Sequence, residues 1–489
     1  MKYIIPIFLI LTCSCLKAQN IITLDRAMEI AIKNSPDILK SELQMTISRE
    51  NLNALEAQTK SLIRFDVSPF SYVNNREFAR EGYWITFQEK VASGDFNIIQ
   101  PIKLTNGSIT LRNTFSYYDR FSEYKEFNTS LKGYVNDLTL SYSQPLFTYN
   151  RLKMQLKQLE LALENATLSY AIQRLFLERT VNQYFYLVYQ RQMALAIARE
   201  ELKNQETGYE IIKSKVDGGL SAMEELYQAE LNLTTSRSNL QNSIVNLANA
   251  EDDFAAYIGM PLGEDFEIQT DVNFQEVQVD LAKAIQNGLE TRMELRQREI
   301  TIDNSQDQLV QAKSTNEFAG NASFQIGIKG EDPVLSNIYD RPTRTPMVGL
   351  TFSIPVWDWG ERRSRIKAAE AAIRIEEINL NVEKTQVELG IREAYRNLQN
   401  LVLQIEIARQ NEKNAQLTYE INLERYKNGD LTGMDLNLFQ NQLSTKKMDL
   451  VNSLINYRLE LLNMKIQSLW DFENNISFVP MELQENLAE

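Results

Sequence analysis

Two copies of one pattern occur in this chain, and the duplication limits the folds that it can adopt. The segment Ser143–Leu220 begins at the end of a strand-like alternation, continues as a long helical sequence and ends in a glycine turn, and Ser353–Leu431 repeats that order. The prolines near the start of the two copies, Pro145 and Pro355, lie 210 positions apart. Because landmarks that keep their spacing over a long segment indicate duplication, we predict two tandem structural repeats.

The duplication predicts the organisation of the whole chain. We expect a signal peptide at 1–18, repeat 1 at 19–262, repeat 2 at 277–470 and a C-terminal tail at 471–489. Each repeat should run helix, strands, long helix, turn, long helix. The strands are expected at about 65–145 and 322–356, and the long helical hairpins at about 150–258 and 360–470.

The starts of the repeats show that the first copy is longer than the second. Leu24 matches Leu281 in similar helical sequences, an offset of 257, whereas the prolines are offset by only 210. The first copy therefore carries about 47 extra residues, and they must lie in the strand-like sequence before Pro145.

The first 18 residues have the features of a secretory signal. Lys2 supplies the positive charge, Ile4–Leu11 the apolar core and Ala18 a small residue before the cleavage that we expect ahead of Gln19. The core is too short for a membrane-spanning helix.

Both cysteines of the chain, Cys13 and Cys15, lie in this signal, and the chain has no histidine. A second interpretation has Cys15 lipidated, although Thr12 is a poor residue three places before a lipidation site. Without cysteine or histidine, the mature chain has no disulfide, thiol nucleophile, imidazole base or Cys/His metal ligand. Only carboxylate chemistry would remain for an enzyme, and no acid pair stands outside the helical surface. We therefore expect no catalytic site, no cofactor and no metal centre.

The mature chain is acidic. Removing Lys2 and Lys17 from the 51 basic residues leaves 49 against 65 acidic ones, a net charge of −16. Nucleic-acid binding requires basic patches, which the sequence lacks, so we expect no nucleic-acid partner. No apolar run after the signal reaches the roughly 18 residues that a membrane-spanning helix needs.

The strand-like region before Pro145 alternates apolar and polar residues. Two predicted strands place apolar side chains on one face and polar ones on the other, namely Ile109, Leu111, Phe115, Leu138, Leu140 and Tyr142 against Thr110, Arg112, Thr114, Thr139, Ser141 and Ser143. Two interpretations fit: a soluble sheet with one buried face, or a membrane barrel with an apolar outer face and a polar lumen. The signal peptide and the aromatic residues at the strand ends favour the barrel.

The extra residues, near 75–135, are expected to add a β-hairpin to the first copy. Asn106-Gly107 is a two-residue hairpin signal. The neighbouring tract FSYYDRFSEYKEF, residues 115–127, has few apolar alternations, so we predict that it forms a loop outside lipid.

The helical segments after the strands are long and carry coiled-coil spacing. From about Arg151 to Lys213 a helix would rise roughly 95 Å. Apolar residues recur every seven positions in both returning helices: Leu226, Leu233, Leu240, Leu247 and Phe254, and then Leu436, Leu443, Leu450, Tyr457 and Met464. Such repeats impose a left-handed supercoil on packed helices. We expect most of them to close each hairpin on itself rather than to join subunits.

A glycine turn separates the long helices in each copy. Gly218 and Gly429 lie 211 positions apart, and glycine at a helix end suits left-handed backbone. The segments that follow, Ser221–Glu224 and Thr432–Asp435, both fit a capping box, with a hydroxyl at the cap and an acid three residues later.

Six segments in fixed order make the chain similar to the outer-membrane efflux proteins of the TolC type. They are TLDRAMEIAIKNSPDI, SQPLFTYNR and KVDGGLSAMEELYQAE and the duplicates DLAKAIQNGLETRMEL, SIPVWDWGERR and RYKNGDLTGMDLNLFQNQL. The resemblance covers roughly residues 21–470. It implies a mostly α-helical fold with a β-barrel part: a homotrimer that shares one twelve-strand or larger transmembrane barrel and one long coiled-coil tunnel across the periplasm.

The resemblance also implies a function and partners. The trimer would be the passive exit duct of a tripartite efflux or type I secretion system, set in the lipid of the outer membrane of a Gram-negative bacterium. Its tunnel tip would bind a periplasmic adaptor protein, which connects to an inner-membrane pump. No phosphate-binding glycine loop is present, so the partners would supply the energy. The alternative is a secreted coiled-coil scaffold or adhesion protein without a pore, which would not account for the duplicated strand–proline–aromatic junctions.

Three sets of residues carry the roles that this resemblance implies. An acidic pore constriction is expected at Asp435, with Glu224 as a second acid, although Leu438 stands where the family's D-x-x-D pattern has its second aspartate. The adaptor-docking tips are expected at Gly218, Gly219, Leu220, Gly429, Asp430 and Leu431. The strand–helix junctions are expected at Pro145, Phe147, Pro355 and Trp357.

Overall fold

The computed structural model of the chain describes residues 20–78, 82, 84–124, 127–263, 266–269 and 274–480. The predicted signal peptide, with Cys13 and Cys15, lies outside the described residues, as does the tail from residue 481.

The described residues are mostly helical. The helices are α1 (Leu24–Asn34), α2 (Pro36–Gln58), α3 (Arg151–Asp217), α4 (Met223–Ile258), α5 (Leu281–Thr291), α6 (Met293–Ser314), α7 (Glu361–Asn428) and α8 (Gly433–Ser468). The strands are β1 (Asn20–Ile22), β2 (Leu62–Phe78), β3 (Trp84–Ile102), β4 (Gly107–Tyr124), β5 (Phe127–Leu146), β6 (Phe266–Ile268), β7 (Ala319–Asp332), β8 (Thr343–Arg344), β9 (Met347–Ser353), β10 (Trp470–Asp471) and β11 (Ile476–Ser477). This order confirms the predicted run of helix, strands, long helix, turn and long helix in each half.

The opening helices of the two halves begin for the same local reason. Thr23 caps α1 and Asp280 caps α5, each with a side-chain oxygen that accepts a hydrogen bond from a first-turn amide. The two caps lie 257 positions apart, which is the offset predicted for the repeat starts. Extended backbone at Ser35 ends α1 and Pro36 begins α2, because the residue before a proline avoids helical backbone.

The chain divides into two compact units, and each takes segments from both halves. Unit 1 consists of the described parts of Met1–Glu42, Ser169–Met293 and Glu383–Glu489. Unit 2 consists of the described parts of Leu43–Leu168 and Glu294–Val382.

Unit 2 contains one long antiparallel sheet. Its strands run in the order β2-β3-β4-β5-β7, and both β8 and β9 pair with the far side of β7. The first half of the chain therefore contributes four long strands and the second half β7 and β9. The first half has two strands more than the second, β3 and β4, and they form the β-hairpin that the extra residues were expected to add.

The tract 115–127 was predicted as a loop, and this prediction was wrong. Phe115–Tyr124 belongs to β4, which pairs with β3 and β5 over its whole length. The charges that obscured the alternation have partners on the neighbouring strands, since Arg120 bonds to Glu89 at 2.5 Å and Lys132 lies 3.2 Å from Asp119. Cross-strand ion pairs stabilise charged residues within a sheet. The residues of each pair lie on different strands, so the alternation within one strand does not show them.

The hairpin predicted at Asn106-Gly107 is present, with a longer turn than expected. Four residues, 103–106, connect Ile102 to Gly107, which pair with each other. Asn106 has φ +58°, in the left-handed region that asparagine tolerates. Its amide bonds to the carbonyl of Ile102 at 2.9 Å and closes the turn.

Unit 1 is held together by several hydrophobic clusters, and the first of them combines both halves of the chain. This cluster surrounds Phe185 and Phe254, whose side chains are fully buried. It also contains buried residues of α1, β1 and β6. A second surrounds Tyr457 between α7 and α8. The sevenfold stripes contribute to these clusters, so they are packed within a single chain. Among the described residues, no helix combines the length and apolar character needed to cross a membrane.

Candidate functional site

The register of the long sheet in unit 2 separates apolar from polar side chains. Because Leu111 lies opposite Leu140, and Leu140 opposite Ile326, apolar residues of neighbouring strands point to the same side. We call this side the apolar face. Its exposed members are Ile63, Phe65, Val67, Phe96, Ile109, Phe115, Leu138, Leu140, Phe324, Ile326, Ile328, Val348, Leu350 and Phe352.

The opposite side, the polar face, is joined by hydrogen bonds between strands. Arg112 Nε donates to Asn97 Oδ1 at 3.1 Å and joins β4 to β3. Ser143 Oγ donates to Asn321 Oδ1 at 3.1 Å and joins β5 to β7. A soluble sheet would have to bury the apolar face, and that face is exposed instead. An apolar outer face with a polar inner face is the pattern of a membrane barrel.

Both edges of this sheet are open within the chain. Every residue of β2, the first strand, is exposed. At the other edge β9 pairs only with β7 among the described residues. Open edges carry unpaired N–H and C=O groups that another strand can bind.

The four predicted junction residues lie where a strand passes into a long helix: Pro145, Phe147, Pro355 and Trp357. The ring of Phe147 lies 5.3 Å from that of Phe318, and Trp357 meets Trp359 edge-on at 5.6 Å. Both Phe147 and Trp357 are exposed. Aromatic side chains therefore gather where the strands end, as they do in the aromatic girdles of membrane barrels.

Side chains at these junctions also start the long helices. Asn150 Oδ1 accepts a hydrogen bond from the Lys153 amide at 2.9 Å and caps α3. Asp358 accepts from the amides of Arg362 at 3.0 Å and Gly360 at 2.9 Å and begins α7. These amide bonds hold the pKa of the Asp358 carboxyl below its usual range.

In unit 1, the two turns between the long helices share one backbone geometry. In each, the glycine amide bonds to the carbonyl three residues earlier, and the next amide bonds to the carbonyl five residues earlier. This is the Schellman motif, which places its glycine in left-handed backbone. The glycines are Gly219, with φ +73°, and Gly429, with φ +89°. They lie 210 positions apart, as Pro145 and Pro355 do, so Gly219 rather than Gly218 is the equivalent of Gly429.

This one-residue difference explains why one predicted capping box forms and the other does not. Thr432 caps α8, because its Oγ1 accepts a hydrogen bond from the Asp435 amide at 3.2 Å. The equivalent position before α4 is Ala222, which makes no side-chain cap bond. The prediction that Ser221 caps this helix was therefore wrong.

A hydrophobic cluster, here called the tip cluster, joins the two turns. Its buried members come from α3, α7 and α8: Ile212, Tyr419, Tyr426, Leu436 and Leu443. Leu431 packs partly against it, whereas Leu220 is 83% exposed. The two leucines differ because Leu220 is equivalent to Asp430, and not to Leu431, in the corrected alignment.

Lys215 and Tyr426 connect the two hairpins at the tip cluster. Lys215 Nζ donates to the Tyr426 carbonyl at 2.6 Å and lies 4.8 Å from the centre of its ring. The Tyr426 hydroxyl donates to the carbonyl of Gly208 at 3.4 Å. Burial, with a smaller contribution from the charge of Glu225, raises the pKa of Tyr426 to about 12, so this hydroxyl stays protonated at neutral pH.

Two acids occupy equivalent positions beside the turns. Glu225 Oε2 accepts a hydrogen bond from Ser221 Oγ at 2.5 Å, and Asp435 Oδ2 accepts one from Thr432 Oγ1 at 2.8 Å. Both acids line one cleft of about 590 Å³ between the turns. Glu224, the acid expected from sequence, is exposed and stands one residue away from the position equivalent to Asp435.

Sequence reasoning missed Glu225, although an offset of 210 from Asp435 would have found it. Within the part of the chain that the structure describes, no group of three or more Asp, Glu, His or Cys side chains is placed to hold a metal ion.

Comparison with known proteins identifies the architecture. The family model described as "outer membrane efflux protein" matches residues 112–260 and 285–463, more than half of the chain. The chain belongs to the outer membrane efflux protein family. No curated protein matches the chain.

Solved structures of the same fold come from several bacteria. The CmeC outer membrane channel of Campylobacter jejuni is similar over 95% of this chain and 88% of its own, with a TM-score of 0.70 and 14% identity. VceC of Vibrio cholerae is similar over 91% of this chain and 94% of its own, with a TM-score of 0.66 and 14% identity. The open state of the MtrE channel of Neisseria gonorrhoeae is similar over 91% of this chain and 88% of its own, with a TM-score of 0.65 and 11% identity.

Membership of this family confirms the expected fold class and function. The efflux protein is mostly α-helical with a β-barrel part, and it serves as an exit duct of the outer membrane. A scaffold without a pore is not favoured, because the family is one of channels.

Proposed function

We propose that three copies of this efflux protein form the passive exit duct of a tripartite efflux or type I secretion system. The observation that carries the proposal is the long sheet with one apolar face, one polar face and two open edges. An open edge cannot stand in lipid, so the sheet needs further copies to close. Closure by a symmetric trimer turns every apolar face to lipid and every polar face to the lumen.

The long helical hairpins would then enclose a tunnel in the periplasm, and the two turns would form its tip. Each copy displays one turn from each half, so a trimer displays six turns of two kinds. A cleft of about 370 Å³ lies beside them, lined by amide, tyrosine and acidic side chains. Amide side chains pair across this cleft: Gln205 Nε2 donates a hydrogen bond to Asn437 Oδ1 at 2.8 Å. This groove and the exposed Leu220 support docking of the helical tip of a periplasmic adaptor, which joins the duct to an inner-membrane pump.

Exchange of Leu220 for glutamate tests adaptor docking. Because Leu220 is exposed, Leu220→Glu removes little packing, and surface substitutions of this kind change stability by about 0.5 kcal/mol or less. We expect export to fall to the background of a strain without the duct, while the extracted protein still has three times the monomer mass. Leu262→Glu changes another exposed leucine of unit 1 and should leave export intact.

Two outcomes of this experiment would contradict the proposal in different ways. Normal export by Leu220→Glu would show that this turn does not dock the adaptor. A stable, water-soluble monomer of the unaltered protein would overturn the trimeric duct itself.

The acids at the turns are proposed to form the pore constriction. Three copies of Asp435 and Glu225 around one axis would make a ring of negative charge that attracts cations. We expect the double variant Glu225→Gln, Asp435→Asn to lose cation selectivity and block by multivalent cations in planar bilayers. Asparagine at 435 can still accept the Thr432 hydrogen bond, so the helix start is preserved.

Glu224→Gln is the matched control, because it removes one negative charge at the neighbouring, exposed position. We expect an unchanged channel. If selectivity falls with Glu224→Gln and is kept by the double variant, the constriction uses Glu224 and neither Glu225 nor Asp435.

A further inference from the structure

The strand pair β3–β4 has no counterpart in the second half of the chain. β2 follows α2 as β7 follows α6, and β5 leads into α3 as β9 leads into α7. Residues 79–126 separate β2 from β5 and number 48 positions, close to the surplus of about 47 in the first copy. The extra residues are therefore one complete pair of strands with its connections.

This additional pair carries the same two faces as the rest of the sheet. Phe96 on β3 and Ile109 and Phe115 on β4 lie on the apolar face, while Asn97 and Arg112 lie on the polar face. The register between β4 and β5 is unbroken from Ser108–Ser143 to Tyr124–Phe127. The pair thus continues the wall that the other strands make.

We propose that six strands of each chain, β2, β3, β4, β5, β7 and β9, stand in the barrel wall, so that three copies close an eighteen-strand barrel, larger than the minimum of twelve strands that the family resemblance implies. The inference rests on the trimer proposed above. In this barrel, β2 of one copy lies antiparallel to β9 of the next. An even number of strands in each chain keeps every neighbouring pair antiparallel.

The two edges that would meet are matched in length. A bulge between Ser68 and Ser71, at Pro69, interrupts β2, so its regular first part is Leu62–Ser68, seven residues long. β9 also has seven residues. Proline has no N–H to donate and is confined to edge strands, strand starts and bulges, so Pro69 agrees with the place of β2 at an edge.

The apolar alternation of β9 also continues past its last paired residue. Val348, Leu350 and Phe352 are exposed on the apolar face, and Ile354 and Val356 follow at the same spacing with 67% and 91% exposure. The alternation therefore covers nine residues, which is the length of a spanning strand.

An arrangement with β3–β4 outside the wall has two physical difficulties. β2 would have to pair with β5, which would leave the apolar side chains of β3 and β4 in water. The displaced pair would also present two new open edges near lipid, where unpaired backbone groups are costly.

The strand number sets the width of the pore in the outer membrane. Barrel diameter grows roughly in proportion to strand number, so eighteen strands give about 1.5 times the diameter of twelve. Barrels of this size leave an aqueous channel.

Lipid access at four paired positions tests the wall directly. Leu111 on β4 lies opposite Leu140 on β5, and Thr110 lies opposite Ser141. Each is changed to cysteine in the extracted and reconstituted protein and labelled with an environment-sensitive fluorophore. We expect quenchers on lipid chains to act at Leu111→Cys and Leu140→Cys, and water-soluble quenchers at Thr110→Cys and Ser141→Cys.

The β5 pair separates failure of this inference from failure of the trimeric duct. Water access at Leu111→Cys with lipid access at Leu140→Cys would overturn the eighteen-strand wall and leave a smaller barrel. Water access at all four positions would overturn the barrel, and the inference with it. An electron-microscopy reconstruction of the trimer counts the strands independently: eighteen are expected, and twelve would overturn the proposal.

Discussion

Arginine in place of Leu138 should prevent the protein from assembling in the outer membrane. Leu138 lies on the apolar face near the middle of the apolar part of β5, and it is 41% exposed. An arginine at the bilayer midplane of a membrane barrel costs about 2–4 kcal/mol. Every copy of a trimer bears this cost. We therefore expect little or no Leu138→Arg trimer in outer-membrane fractions.

Thr139→Arg is the matched control, because it adds the same side chain one residue along the same strand. Thr139 lies on the polar face, where its hydroxyl donates to Asp137 Oδ1 at 2.9 Å. An arginine there would face water, with the Asp137 carboxylate beside it on β5 and Arg112 opposite it on β4. We expect Thr139→Arg to assemble normally. Equal loss of both variants would contradict the assignment of the two faces.

Removal of the Tyr426 side chain should loosen the two turns without unfolding the sheet. Tyr426 is 2% exposed in the tip cluster and contacts Lys215 through its ring and its carbonyl. Truncation of a large buried aromatic side chain to alanine costs about 3–5 kcal/mol. We expect amide hydrogen exchange in both turns to accelerate by on the order of a hundredfold or more, because local opening becomes cheaper by this amount.

Tyr426→Phe separates the packing of the ring from the hydroxyl bond. This variant keeps the ring in the cluster and loses the 3.4 Å bond to the Gly208 carbonyl, a change of about 1 kcal/mol. Exchange in the turns should therefore rise far less than in Tyr426→Ala. Comparable acceleration in both variants would show that the hydroxyl, and not the buried ring, holds the hairpins together.

Spacing along the sequence was enough to predict the repeats, because equivalent elements keep their separation. The opening helices of the two halves begin at Leu24 and Leu281, which are the residues matched in the sequence. The fold class followed from these landmarks together with the alternation of apolar residues in the strands. Both the spacing of landmarks and the alternation of apolar residues can be read directly from a single sequence.

The features that could not be predicted depend on contacts between distant residues. The tract 115–127 has few apolar alternations, and its strand conformation depends on partners such as Glu89 and Lys132. The turns are a different case, because the offset of 210 between Pro145 and Pro355 already pointed to Gly219 and Glu225 as the counterparts of Gly429 and Asp435. The local hydrogen bonds around Gly219 agree with this offset.

The turn between β3 and β4 has a consequence for how such ducts can vary. The side chain of Asn150 donates to the carbonyls of residues 103 and 104 at 2.7 and 3.1 Å, so this turn is attached beside the start of α3. A chain that makes one extra excursion through the membrane returns to the side from which it left. The helices can therefore keep their number and connections while the sheet gains strands. In the proposed barrel, evolution or an engineer could thus widen the pore without changing the helical hairpins.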